Sequence, residues 1–199
     1  MAFLPDYRPK LALITIIAPL LGGCGAGDSG DTGTGEPEVR ARCECVLDEE
    51  GGEAFEPSSS PSIPGCADQV CDIVSAGYYD PNDEFNNELV IADSAALACA
   101  LTALRDRTPG LIRWSVEEAL GGDYGYVLIK GDGQAVRRTW SILDLGASID
   151  DAVLGDLAPP ATYDSCLALT DEAKQFECLN IRLMSENLIC DEAWSVASE

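Results

Sequence analysis

The positions of the cysteines restrict the fold of this chain more than any other feature. Nine cysteines occur in 199 residues, and the eight that come after the N-terminal Cys24 lie on the two sides of a cysteine-free stretch, residues 100–165. Five precede that stretch and three follow it, so full internal pairing requires at least one disulfide across it. The eight candidates for disulfide bonding are Cys43, Cys45, Cys66, Cys71, Cys99, Cys166, Cys178 and Cys190.

The pairing itself is left open by the sequence, because eight cysteines allow about a hundred connectivities. Cys43 and Cys45 would lie on the same face of a strand, which favours separate partners over a bond between them. Cys66 and Cys71 are close enough in sequence to close a small loop by themselves. Free thiols buried as small apolar residues are the alternative.

The charged residues exclude several classes of function. The chain has 35 Asp and Glu against 12 Lys and Arg, a net charge of -23, and no histidine. Because contacts to phosphates need clustered Lys and Arg, no nucleic-acid binding is expected. Without histidine the chain cannot build a Ser-His-Asp or Cys-His nucleophile or an HExxH zinc site. An enzyme of this composition would depend on carboxylates, and no cofactor is expected.

The N-terminal residues have the layout of an export signal. Arg8 and Lys10 provide a positive start, residues 11–21 are apolar, and small residues follow. This order is typical of a secretory signal peptide. The apolar run is shorter than the ~20 residues that a membrane-spanning helix needs. Residues 1–23 are therefore predicted to be a signal peptide.

The sequence LGGC at residues 21–24 resembles the lipobox of bacterial lipoproteins, whose cysteine receives diacylglyceryl and becomes the new N-terminus. The resemblance covers only residues 1–24. It implies that the mature protein binds the lipid bilayer through acylated Cys24. The family's sorting rule places aspartate after the cysteine in inner-membrane lipoproteins, whereas this chain has Gly25. The rule therefore implies the outer membrane, at its periplasmic face or the cell surface, if the host has two membranes. The alternative is a secreted protein cut near residues 25–27.

Cysteine parity favours lipidation, since setting Cys24 aside leaves an even eight for disulfides in an exported protein. Residues 24–38 are predicted to be a lipid-anchored flexible acidic tether, because residues 25–38 contain no bulky apolar side chain that could offset the cost of ordering. Without the signal peptide the chain keeps 10 basic and 34 acidic residues, a net charge of -24. Residues 39–199 are predicted to form a single disulfide-rich domain.

The apolar pattern of this domain predicts an α+β fold. Residues 39–47 alternate apolar and charged side chains, which favours a short strand. Residues 88–106 are rich in Ala and Leu and favour a helix that begins after Asp83 or Asp93 and is buried on most sides. Its predicted buried face carries Leu89, Ala92, Ala96, Cys99 and Ala103.

Beyond residue 110 the apolar period changes to two. Strands are predicted at 112–117, 124–130 and 134–145, with a hairpin turn at Gly131-Asp132-Gly133. Together they predict a three-stranded or larger antiparallel meander packed on the buried helix. From residue 163 the pattern becomes helical again, and the cysteines there predict disulfide-stapled short C-terminal helices. For the aromatic residues of the meander, core packing is favoured over ligand stacking; they are Trp114, Tyr124, Tyr126 and Trp140.

Residues that could carry chemistry are abundant but unspecific. A glycosidase needs two carboxylates about 5–10 Å apart, and the candidates, interpreted as solvated surface charges, are Glu117, Glu118, Asp144, Asp150 and Asp151. Residues 80–84 resemble a calcium loop, but Phe85 and Ile91 stand where an EF-hand needs glycine and glutamate. An EF-hand is therefore rejected, a looser calcium site stays open, and no metal site is predicted.

Two functions from different classes follow. The first is a membrane-anchored envelope lipoprotein, not an enzyme, with a non-catalytic acidic domain that binds an unknown envelope protein or glycan or has a structural role. The second is a secreted or anchored carboxylate-dependent hydrolase acting on polysaccharide. A concave sheet face lined by Tyr and Trp with two facing carboxylates would favour the hydrolase, and a flat acidic surface would favour the binding domain.

Overall fold

The structure of the protein, a computed structural model, describes residues 42–43, 46, 63–65, 67–78 and 88–197, with the backbone alone at 186–187 and 196–197. All of these belong to one compact unit, Thr34–Glu199. The signal peptide, Cys24, the tether, Cys45, Cys66 and the calcium-like residues 80–84 lie outside the described residues.

The described chain contains helices and strands in one unit, which confirms the mixed α+β class. The helices are α1 (Ser94–Asp106), α2 (Pro160–Leu167) and α3 (Glu172–Glu177), the last followed by a 3-10 turn at Cys178–Asn180. The strands are β1 (Val74–Gly77), β2 (Val90–Ile91), β3 (Gly110–Glu118), β4 (Gly121–Ile129), β5 (Gln134–Leu143), β6 (Gly146–Ile149), β7 (Ala152–Asp156), β8 (Glu186–Asp191) and β9 (Trp194–Ala197).

All nine strands join one sheet with the order β2-β1-β3-β4-β5-β6-β9, and β7 pairs with both β5 and β8. Strands β3, β4 and β5 are antiparallel neighbours, as the period of two predicts. The predicted hairpin turn is confirmed: Gly131 and Gly133 have positive φ, and Asp132 Oδ1 accepts a hydrogen bond from Gln134 N at 3.0 Å. Strand β5 pairs with β7 over its first residues and with β6 over its last, so the sheet forks beside β5.

Each face of the sheet has its own apolar cluster. On the first face, Ile112, Trp114 and Val127 share a cluster with Leu97 and Leu101 of α1. On the second face, the cluster contains Tyr126, Leu128, Val136, Trp140, Ile149, Leu154 and Cys43. Because side chains alternate along a strand, one run of sequence supplies both clusters.

Helix α1 begins at Ser94, which confirms the shorter of the two predicted starts. Asp93 caps it, since its Oδ1 accepts hydrogen bonds from Ala95 N and Ala96 N at 2.8 and 3.1 Å. The start near residue 88 is wrong because Val90–Ile91 pairs with β1 as a strand. The predicted buried face is also wrong at Leu89 and Ala92, which precede the helix, and at Cys99, which is exposed. Its buried side chains are Ala96, Leu97, Ala100, Leu101, Ala103 and Leu104.

Three disulfides join distant segments of the described chain: Cys43–Cys190, Cys71–Cys99 and Cys166–Cys178. The first crosses the cysteine-free stretch, which confirms the predicted crossing bridge. A bond between Cys66 and Cys71 is wrong, because Cys71 is bonded to Cys99.

Two local predictions around the first bridge also fail. Arg42 and Cys43 are helical rather than extended, and Cys190 lies in strand β8 instead of a short helix. Cys43 is fully buried.

Asp156 at the end of β7 links three parts of the domain. Its carboxylate accepts hydrogen bonds from Ser185 Oγ, which precedes β8, and from Gln134 Nε2 at 3.3 Å, at the start of β5. The Ser185 hydroxyl, and after it the Gln134 amide, hold the pKa of Asp156 below its ordinary value. The fold therefore stabilises the charged form of this carboxylate.

Candidate functional site

A groove with a volume of about 480 Å³ crosses the first face of the sheet, between strands β3–β6 and helix α3. A neighbouring cavity of about 400 Å³ shares four lining residues with it, Arg137, Thr139, Asp150 and Asn180. Since the two volumes meet at these side chains, we treat them as one elongated groove.

The register of the strands explains why this part of the face is polar. Val116, Asp123, Ser141 and Ser148 form one row of paired residues across β3, β4, β5 and β6. Paired residues of neighbouring antiparallel strands point to the same face. The row therefore brings a carboxylate and two hydroxyls beside one apolar side chain, although their sequence positions span 33 residues.

Gly125 allows the indole of Trp114 to form the floor of the groove. Trp114 pairs with Gly125, and a Cβ added there would lie 2.1 Å from Trp114 Cζ2. The ring therefore lies directly against the backbone of β4, which only glycine permits.

Arg137 is held above this floor by two contacts. Its guanidinium carbon lies 6.0 Å from the centroid of the Trp114 ring, and its Nη2 donates to Asn180 Oδ1 at 3.1 Å. A guanidinium at this distance interacts favourably with an aromatic ring. The groove thus combines a positioned cation with the amide of the segment that follows α3.

Three carboxylates line the main cavity, and all are exposed: Asp123, Asp150 and Glu177. Thr139 Oγ1 donates a hydrogen bond to Asp150 Oδ2. Of the five acids that the sequence offered, Asp150 lines the main groove, and Asp151 lines its extension and accepts a hydrogen bond from Ala193 N at 2.6 Å.

The other three acids, Glu117, Glu118 and Asp144, lie at the ends of hairpins outside the lining. Sequence reasoning missed Asp123 and Glu177. Asp123 could have been identified from strand alternation, because it points to the same face of its strand as Val127 and Ile129, which are buried.

The aromatic residues divide between the two faces. Tyr124 and Trp140 stack with ring centroids 5.7 Å apart, in the apolar cluster of the second face. Although both border the groove, strand alternation turns their side chains to the opposite face from Trp114. Of the four aromatic residues of the meander, Trp114 is therefore the one whose side chain lies on the first face, and Tyr78 and Phe176 also line the groove.

Arg138 fastens the fork of the sheet next to the groove, and it is the buried charged residue of the described chain, 2% exposed. Its Nε donates to Asp150 O at 3.0 Å and its Nη2 to Glu192 O at 3.2 Å, while Nη1 binds Asp191 Oδ2. One guanidinium thus ties β5 to the β6–β7 junction and to the β8–β9 junction. The backbone of Asp150 is positioned by this contact.

Among the residues that the structure describes, no three acidic or cysteine side chains are grouped so that they could hold a metal ion. In the same part of the chain, no helix has the length and apolar character required to cross a membrane. No protein-family model matches the chain, and neither does any curated protein or solved structure.

Proposed function

We propose that the protein is an exported envelope lipoprotein, anchored to the bilayer through acylated Cys24, whose non-catalytic domain binds its partner in the groove on the first sheet face. The observation that carries the binding role is the elongated groove itself. It offers hydroxyls, an amide, carboxylates and one positioned guanidinium around the indole of Trp114.

We also propose how these elements pack. The β3–β5 meander packs on α1, and the short helices after residue 159 are held by a disulfide against the same face. In support, Leu97 and Leu101 of α1 share an apolar cluster with Ile112 and Val127. The Cys166–Cys178 bridge joins α2 to the end of α3. This packing would place α3 as one wall of the groove.

The proposed ligand is an extended segment of an envelope glycan or protein. Pockets for small molecules are mostly apolar, enclosed, and about 300–1,000 Å³ in volume. This groove is open, its lining combines polar side chains with apolar and aromatic ones, and a second, more polar cavity adjoins it. Such a lining suits a chain of hydrogen-bonding groups better than one compact apolar ligand.

The alternative, a carboxylate-dependent hydrolase acting on polysaccharide, draws support from the same concave face with its indole and carboxylates. A glycosidase, however, needs a general acid that keeps its proton because burial disfavours the charged form. Asp123, Asp150 and Glu177 are all exposed, and Asp151 in the extension is only half-buried and accepts a hydrogen bond from Ala193 N. These observations support binding over hydrolysis.

Blocking the groove should abolish binding. We expect full-length protein to retain specific envelope components in affinity capture, and Glu177→Trp to reduce this at least tenfold because the indole would fill the groove. Lys174→Trp is the matched control, since Lys174 is exposed on the same helix and does not line the groove. Equal capture by the two variants would contradict groove binding. Release of reducing sugars from envelope polysaccharide, lost in Asp150→Asn, would instead establish the hydrolase.

Anchoring has a separate test. Cells grown with a clickable palmitate analogue should label the wild-type protein, and Cys24→Ala should lose the label because it lacks the acceptor thiol. Cys99→Ala serves as the control, since Cys99 is in a disulfide and is not an acceptor. A Cys24→Ala protein that keeps its label would refute the lipid anchor.

A further inference from the structure

Three leucines are exposed at the tips of two neighbouring hairpins. Leu120 lies in the β3–β4 turn and is 69% exposed. Leu143 and Leu145 flank the β5–β6 turn and are 51% and 79% exposed. We call Leu120, Leu143 and Leu145 the leucine cluster.

The strand register brings these leucines together. Gly121, which follows Leu120, pairs with Leu143, and Leu143 pairs with Gly146, which follows Leu145. The strands approach so closely that a Cβ at Gly121 would lie 1.9 Å from Ile142 O. The three exposed leucines therefore lie at the same end of the sheet, at or next to paired backbone positions. Single exposed apolar residues are ordinary on a protein surface, whereas several grouped at one end of a sheet are a candidate interaction surface.

Acidic residues border the leucine cluster. Glu117 and Glu118 end strand β3, Asp123 lies near the start of β4, and all three are exposed. The hairpin segments 117–125 and 141–149 contain no Lys or Arg. The leucine cluster therefore consists of exposed apolar side chains bordered by negative charge.

We infer that the leucine cluster docks a basic, apolar segment of a partner protein, one that inserts leucine-like side chains between flanking lysines or arginines. This inference rests on the proposed binding role and names the chemistry of the partner. Charge favours a polypeptide over a membrane surface as the partner, because an apolar surface with an acidic border is repelled by anionic headgroups and attracts a cationic polypeptide. Asp123 belongs both to this border and to the groove lining, so a docked segment continues into the groove.

The test measures the affinity of purified full-length protein for a fluorescent amphipathic peptide of leucine and lysine, by anisotropy at low and high salt. We expect wild-type protein to bind it, and the triple variant Leu120→Ser, Leu143→Ser, Leu145→Ser to bind at least about tenfold more weakly, because the apolar contact area is lost. The variant Glu117→Gln, Glu118→Gln, which leaves the groove lining unchanged, should show a weaker salt dependence. Met184→Ser, which removes another exposed apolar side chain (67%), should bind like wild type.

Several outcomes would overturn the inference. These are equal binding of a leucine and glutamate peptide, an unchanged affinity of the triple leucine variant, or leucine-dependent binding to phosphatidylcholine vesicles without binding to the peptide. Far-ultraviolet circular dichroism and the unfolding midpoint verify that the variants are folded. Loss of peptide binding with groove-dependent capture intact would refute this inference alone. The reverse pattern would refute the proposed groove function alone.

Discussion

Replacing both Cys43 and Cys190 with alanine is expected to lower the free energy of unfolding by about 5 kcal/mol. The two cysteines are 147 positions apart, so their bond removes a large amount of chain entropy from the unfolded state. Both are also buried, at 0% and 5% exposed. The pair joins the segment before β1 to strand β8 in the cluster of the second face.

The matched comparison is the Cys166–Cys178 bridge, whose cysteines are only 12 positions apart. Its double alanine variant should lose about 3 kcal/mol, because loop-closure entropy grows with the logarithm of loop length. Guanidinium unfolding at neutral pH measures both losses. If removing the short bridge costs as much as removing the long one, the entropic account of the Cys43–Cys190 bridge is wrong.

Arg138→Met is expected to lower the free energy of unfolding by about 3 kcal/mol, since breaking a buried ion pair leaves its partners unsatisfied. Methionine fills much of the volume but cannot donate to Asp191, Asp150 O or Glu192 O. The side chain of Asp191 is 35% exposed, so water replaces part of the lost interaction there. We therefore expect a loss of unfolding free energy at the lower end of the range for buried ion pairs.

Arg105→Met is the control for Arg138→Met. Arg105 pairs with Asp106 at 2.7 Å and Asp164 at 3.5 Å, but all three side chains are at least one third exposed. Exposed pairs contribute little, so no clear shift of the unfolding midpoint is expected. The double variant Arg138→Met, Asp191→Leu should recover part of the loss, because it also removes the orphaned carboxylate. Equal midpoints for Arg138→Met and Arg105→Met would contradict the role assigned to the fork.

Strands β3, β4 and β5 could be predicted because their signals are local. Ile112, Trp114 and Val116 are buried in alternation with less buried neighbours, and Gly131 and Gly133 supply the positive φ of the turn. The short strand β2 could not be predicted, since its two residues are strand only because β1 lies beside them. An alanine-rich helix extended through residue 90 is the better local solution, and tertiary pairing overrides it.

The groove was less accessible to sequence reasoning than the strands around it. Asp150 was recognised as a candidate only as one acid among many, and Glu177 was not recognised. Glu177 reaches the groove from a helix, and it is 63 positions away in sequence from Trp114. No periodicity or spacing connects the two residues, because their proximity depends on how α3 lies over the sheet.

The sequence alone determined the α+β class, the antiparallel strands beyond residue 110 and the need for a disulfide across residues 100–165, because alternation, turn chemistry and cysteine parity are properties of the chain itself. Only the tertiary structure decided which cysteines pair, where α1 begins and that Asp123, Ser141 and Ser148 share one row beside Trp114. These depend on strand register and on contacts between residues far apart in sequence, which become defined only when the whole sheet is assembled.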